Sequence, residues 1–327
     1  MLPRRIGIAA ALVVFLGAAI TELHAATPED APPASREQVR TALAALAPAF
    51  AAKTRRTQAG APGTIENVIG HFAPGKFHPV DDGRLPPPRA ALTCPVDMAP
   101  VAGRFCVDRY EGSLVERAAD GSMQEHAHYE IPEAGHMYIA RSLPGVIPQA
   151  YISGAQAAAA CEAASKRLCH PVEWRAACGG SQGYAFPYGP TRKPGLCHDR
   201  GAAPMLVFHA EEMKRGWFLT ELNDPRLNQL GDTVGKTGAF PACVNDYGIY
   251  DMVGNLHEWT ADPNGTFQGG YWLDTEQHGT GCAYRTIAHG FTYHDYSTGF
   301  RCCSDGGPEL RASQPQPSIP SSTTPLK

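Results

Sequence analysis

The chain has 327 residues, 43% of them hydrophobic and 18% charged, and a net charge of −4. That length suits one large domain or two small ones with a buried core, and the near balance of charge supplies no basic field for nucleic acid. The 34 glycines and 29 prolines argue against a helical bundle and for a loop-rich fold.

Residues 1–25 have the layout of a secretory signal peptide. Arg4 and Arg5 precede the apolar run IGIAAALVVFLGAAI, and Leu23, His24 and Ala25 offer small-residue cleavage positions. A retained anchor is the competing reading, but the run is short of the roughly 20 apolar residues that a span requires. No cysteine stands near the exit, so lipoprotein processing is not indicated. No later stretch is apolar enough to cross a bilayer, so no stable membrane span is expected once the signal is removed. The expected location is the periplasm or the cell exterior.

Residues 26–90 read as a helix followed by a linker. Ser35, with Gln38 three residues on, forms a capping-box pattern before Val39, Leu43, Leu46 and Phe50 at helical spacing. This predicts an amphipathic helix over 36–53, kinked or shortened by Pro48. Residues 54–88 are rich in glycine and proline and read as linker.

A compact domain is expected over 91–305. CPVDMAPVAGRFCVDRYEGSL patterns as a hairpin with Gly103 at its turn. Residues 154–166 are alanine-rich and helical, Arg167 and Leu168 begin an exposed turn, and 170–177 form a second short helix with Pro171 in its first turn. From 179 to 248 glycine, proline and asparagine recur too often for a strand to be placed. Short strands are expected near 257–260, 270–273, 283–288 and 299–303. The tail, 306–327, is rich in proline, serine and threonine and is expected to be disordered. No internal repeat is present.

Ten cysteines punctuate the chain: Cys94, Cys106, Cys161, Cys169, Cys178, Cys197, Cys243, Cys282, Cys302 and Cys303. An even number in an exported chain reads first as a disulfide framework, although ten cysteines allow many pairings.

Four segments stand in a fixed order: KRLCHPVEWRAACGG, YGIYDMVGNLHEWTAD, GGYW and GFRCC. With CVDRYEGSL upstream, they resemble the formylglycine-generating enzyme, or sulfatase-modifying factor, family. The resemblance implies an α+β fold of the C-type-lectin-like sulfatase-modifying-factor kind, loop-rich and low in secondary structure. It also implies a chemistry, because the family's founding activity oxidises a sulfatase cysteine to formylglycine with dioxygen and copper. Two cysteines five residues apart hold that copper, soft thiolates being what a cuprous ion requires. In GCAYRTIAH the second of those positions falls on Thr286 and the first on Gly281, beside Cys282. Copper is therefore not expected as a cofactor, and Cys282 and Thr286 are only weak catalytic candidates.

By the same resemblance Cys178 bridges Cys302. Cys94 and Cys106 could then close the hairpin, Cys161 and Cys169 a helix end, and Cys197 and Cys243 the irregular middle, leaving Cys282 with Cys303. The competing reading keeps Cys282 or Cys303 reactive. A structural calcium is also implied, held by the carboxylates of Asp251 and Glu258 and the carbonyls of Gly254 and Leu256, since hard oxygen donors suit that ion. The alternative is that Asp251 caps a turn and Glu258 pairs with an arginine. A second calcium segment would match near His198 and Asp199 too poorly to be assigned.

His257 stands where the family usually has tryptophan, with His289, His294, Tyr284, Tyr293 and Tyr296 close in sequence. Such a cluster could bind a transition metal or exchange protons, but its spacing fits no standard ligand set. The sulfoxide-synthase branch is not expected, because the residues before Cys94 are too few for its added helical domain and carry only His71 and His78 once the signal is removed. Trp174, Trp259 and Trp272 read as core. Tyr284 and Arg285 lie where the family lines its groove and are the expected ligand contacts; Arg301 reads as buried, with ligand contact as the alternative. Three functions follow. One is a binding or accessory module for an unidentified protein or small molecule, the second an active formylglycine-generating oxidoreductase, and the third a periplasmic enzyme of the siderophore-maturation type.

Overall fold

The computed structural model describes residues 83–287 and 289–307. The expected signal peptide, the helix over 36–53, most of the linker and the tail beyond 307 lie outside these. Among the described residues no helix is long and apolar enough to cross a membrane.

Strands β1 (Met98–Val101) and β2 (Phe105–Asp108) form the expected antiparallel hairpin, turned by Ala102 and Gly103, both at positive φ. All four residues of β2 are buried, because β11 (Cys302–Ser304) pairs on its other side. β6 (Arg167–Leu168) completes this sheet in the order β1-β2-β11-β6. Arg167 and Leu168 are thus strand rather than exposed turn, with Leu168 only 2% exposed and opposite Cys302. Two residues cannot display a period, and their partner is remote in sequence.

A second, antiparallel sheet takes the order β4-β3-β5, from β3 (Gly112–Arg117), β4 (Met123–Glu125) and β5 (Met137–Ser142). The third joins β7 (His257–Trp259), β8 (Phe267–Gln268), β9 (Arg285–Thr286) and β10 (Thr298–Phe300) in the order β10-β7-β8-β9. The strand expected at 270–273 lies earlier, at β8. Gly269 and Gly270 follow it at φ 87° and 74°, outside the extended region that a strand needs. Only a bridge between Tyr271 and Asp274 remains.

Helix α1 (Gly154–Ala163) starts at a full capping box: Gln156 N donates to Ser153 Oγ at 3.2 Å, and Ser153 N donates to Gln156 Oε1 at 2.9 Å. It stops before the expected residue 166, at Ala164 and a left-handed Ser165. Helix α2 (Pro171–Cys178) has proline in its first turn, and Glu173 takes both Nη groups of Arg167 at 2.7 Å. Residues 179–248 hold single helical turns, α3 (Pro204–Phe208), α4 (Ala210–Met213) and α5 (Leu219–Leu222), fastened by buried Met205, Met213 and Leu227. The domain is a loop-rich α+β fold of small mixed sheets.

All ten cysteines are bridged. Cys94–Cys106 and Cys197–Cys243 pair as expected. The other three bridges exchange partners: Cys161–Cys302, Cys169–Cys303 and Cys178–Cys282 replace Cys178–Cys302, Cys161–Cys169 and Cys282–Cys303. The cause is strand geometry. Neighbours on a strand face opposite ways, so Cys302 enters the core beneath α1 while Cys303 enters the core around Trp174. Cys178 is left to reach Cys282. Non-reducing peptide mapping should recover these three bridges and no free thiol. Replacing both Cys161 and Cys302 with alanine should cost about 3–5 kcal/mol in a denaturant titration, because that bridge spans 141 residues.

Candidate functional site

At the junction of the sheets lies a fully buried guanidinium. Arg301 is 0% exposed. Its Nε and Nη2 donate to the two carboxylate oxygens of Glu258 at 2.7 Å each, and Nη1 and Nη2 donate to the carbonyls of Asp108 and Tyr250 at 2.9 Å. Trp174 Nε1 adds a bond to Glu258 Oε2 at 2.6 Å. A charge taken out of water costs several kcal/mol unless its partners are complete, and here they are. Arg301 thus sits in the interior, as the buried reading had it.

The expected calcium residues surround this pair. Gly254 carries φ 80°, and a Cβ there would lie 2.2 Å from the His198 carbonyl, so only glycine fits. Asp251, itself at φ 59°, accepts from Gly238 N at 2.6 Å. Glu111, which sequence reasoning passed over inside CVDRYEGSL, accepts from Leu256 N at 3.1 Å and Asn255 Nδ2 at 2.6 Å. Three buried carboxylates, Glu111, Asp251 and Glu258, thus face one guanidinium. Burial, reinforced by Glu258, pushes Asp251 up to about 6 against the pull of Arg301. Burial and the two neighbouring carboxylates hold Glu111 well above the carboxylate range. Both alternatives for Asp251 and Glu258, turn capping and arginine pairing, occur in this arrangement. Among the described residues no three His, Cys, Asp or Glu side chains converge as metal ligands. An ion here would therefore draw on backbone carbonyls such as those of Gly254 and Leu256. Hard oxygen donors of this kind are what calcium takes.

One residue before Glu258, the side chain of His257 faces the other way into an aromatic box. Its ring lies 4.7 Å from Phe267, 5.0 Å from Tyr271 and 5.5 Å from Tyr284, centroid to centroid. Burial, helped by His289 and His278, lowers its pKa to about 3, and its Nδ1 has no hydrogen-bond partner. Tyr284 is 2% exposed and donates to Asp274 Oδ2 at 2.9 Å, with Thr286 beside its hydroxyl. Arg285, its neighbour on β9, is exposed. The two expected ligand contacts therefore belong to opposite faces: Tyr284 to the box, Arg285 to the surface.

His289 stacks on Phe267 at 5.4 Å and meets Tyr293 at 4.0 Å. His294 turns away, its Nδ1 2.7 Å from Asn223 Oδ1. His278 joins instead, edge-on to Tyr284 at 5.8 Å. Tyr271 was hidden in GGYW behind its core neighbour Trp272. Tyr296 packs on both. Of the two weak catalytic candidates, Thr286 offers a hydroxyl and Cys282, next to Gly281, is bonded to Cys178.

Two stability measurements check this account. Glu258→Gln breaks the bidentate charge pair with Arg301 and should cost about 3–5 kcal/mol in a urea titration. The folded pKa of His257 lies below its unfolded value near 6.5, so the neutral ring contributes stability above pH 6.5 that is lost as pH falls toward 3. His257→Phe removes that loss. Its stability relative to the parent should rise as pH drops, by roughly 3 kcal/mol at pH 4.

The model of the "Sulfatase-modifying factor enzyme 1-like domain" matches residues 134–306. The chain is 31% identical over 174 residues to the "Inactive C-alpha-formylglycine-generating enzyme 2" of Bos taurus, covering 49% of this chain and 51% of that protein. It is 34% identical over 119 residues to the "Formylglycine-generating enzyme" of Mus musculus, covering 35% and 27%. The chain thus spans about half, or less, of the length of these curated relatives. Among solved structures, the "Major Tropism Determinant U1 Variant" aligns at 17% identity and a TM-score of 0.37, over 66% of this chain and 54% of that one. The matched domain is more than half of the chain and contains Glu258, Arg301 and the box around His257: the chain belongs to the sulfatase-modifying factor, or formylglycine-generating enzyme-like, family.

Proposed function

We propose that the protein is an exported member of this family that lacks copper–thiolate oxidation and works as a calcium-stabilised binding or accessory module. The observation that carries this reading is the Cys178–Cys282 bridge. A sulfur in a disulfide is no thiolate and cannot serve as a soft copper ligand. Thr286 at the second position cannot replace it. The match to an inactive relative over half the chain is in keeping with this, although an active one also matches. The ligand surface would be the exposed side of β9 at Arg285, backed by the largely buried box of His257, Tyr271 and Tyr284. Five disulfides suit an oxidising compartment, in line with the signal-like start of the sequence and with a periplasmic or secreted location.

Copper(I) added to the unreduced protein should not bind stoichiometrically, and a Cys-x-Pro-x-Arg peptide should provoke no oxygen uptake. Peptide-dependent uptake in proportion to bound copper would overturn the reading in favour of an active oxidoreductase. The calcium part has its own test. Asp251 holds its proton up to about pH 6, above its unfolded value near 3.9, so its ionised form costs stability as pH rises from 4 to 6. Calcium would compete with that proton. A chelator should therefore lower the melting temperature more at pH 7.5 than at pH 5, and an unchanged melting temperature at both would remove calcium from the account.

A further inference from the structure

Away from the His257 box, two adjoining clefts of about 470 and 250 Å³ open at the end of the β4-β3-β5 sheet and share His126. The larger, outer cleft grows out of strand register. Glu116 on β3 stands directly opposite Tyr138 on β5, two residues beyond the buried Leu114–Ala140 pair. The face that is core at Leu114 thus runs on past the edge of the core at Glu116. Tyr138 lies in the charge field of Glu116, Glu130 and Glu133, and its hydroxyl accepts from Glu133 N at 3.1 Å. Its ring is flanked by His126 at 4.8 Å and His136 at 6.3 Å. Tyr129 completes the aromatic lining.

The charge balance of this outer cleft is negative. His136 Nδ1 lies 2.6 Å from Glu116 and its Nε2 3.5 Å from Glu133, so one imidazole serves two carboxylates. Glu130 makes no ion pair among the described residues. Arg141 is paired with Glu125, at 2.6 Å. Even with His136 protonated, an excess of carboxylate surrounds an aromatic floor.

The inner cleft supplies an independent sign. Gln149 lines it and is 1% exposed. Its Nε2 donates to the carbonyls of His128, Glu130 and Ala150 at 3.4, 2.9 and 2.7 Å. Three carbonyls fix the amide orientation, since the flipped form would set oxygen against oxygen. Gln149 Oε1 is left buried without a partner. An unsatisfied buried acceptor costs on the order of 1–3 kcal/mol, and a ligand N–H in the cleft would remove that cost. Apolar Leu114, Val146 and Ile147 surround it.

We infer that these clefts bind an organic cation, with its ammonium or guanidinium group over Tyr138 among Glu116, Glu130 and Glu133 and a second N–H turned to Gln149. Carboxylates and aromatic faces both attract such a cation, and the apolar inner wall takes the chain between its nitrogens. The cation is either a free polyamine or a basic side chain of a peptide. The inference stands apart from the proposal for the His257 box, because it uses none of its residues.

Calorimetric titration of the full chain with spermidine and with N-acetyl-arginine amide tests it, with n-butylurea as the uncharged comparison. Saturable binding of a cation is expected, weakened by added salt and about tenfold weaker in the Glu130→Gln/Glu133→Gln variant. These two side chains are exposed, so folding is not at stake. Tighter binding of spermidine assigns the site to a polyamine, and tighter binding of the arginine amide to a peptide. Absence of saturable binding by either cation, equal binding of n-butylurea, or unchanged affinity in the variant would each overturn the inference.

Discussion

The bidentate pair between Arg301 and Glu258 organises the domain. The guanidinium reaches from the residue between β10 and β11 to the middle of β7, and from there to the carbonyls of Asp108 at the end of β2 and Tyr250 in the loop before β7. Two sheets and a loop segment therefore meet at one side chain. None of them is long enough to be stable as an isolated hairpin. A buried ion pair contributes little net energy beyond a hydrophobic substitute, but a half-broken one is costly, and that asymmetry ties these elements together. Trp174 extends the same centre into α2 through its bond to Glu258.

The same strand that carries Glu258 inward carries His257 to the opposite side. The alternation of a strand thus sets a charged structural centre and a neutral aromatic box back to back, one residue apart. The first is rich in carboxylate and hydrogen-bonded throughout. The second is closed by rings and keeps a nitrogen without a partner.

Much of this was legible in the sequence. Capping residues Ser153 and Gln156, the proline opening α2 and the turn at Gly103 act locally, and each marks its element correctly. The order of the four motifs identified the family and with it the fold. Sequence reasoning failed where partners are remote. β6 has two residues and no period, and its strand identity comes wholly from Cys302 and Cys303. The exchange of three disulfides has the same root: the pairing depends on which side of β11 each cysteine faces, and neighbouring cysteines look equivalent until the strand is placed. Glu111, His278 and Tyr271 were missed because each reaches its site through tertiary contacts that no local spacing announces.

The two adjacent bridges of β11 have a mechanical consequence. Cys302 is tied to the helix α1 and Cys303 to the residue just after β6, so the last strand is clamped covalently from both faces. Tension applied to the chain beyond residue 304 would meet sulfur–sulfur bonds before it could peel the short strand from its neighbours, and the load would spread into α1 and the β6–α2 corner together. A partner attached beyond that point would be tethered to the rigid centre of the domain, not to a strand that can unzip.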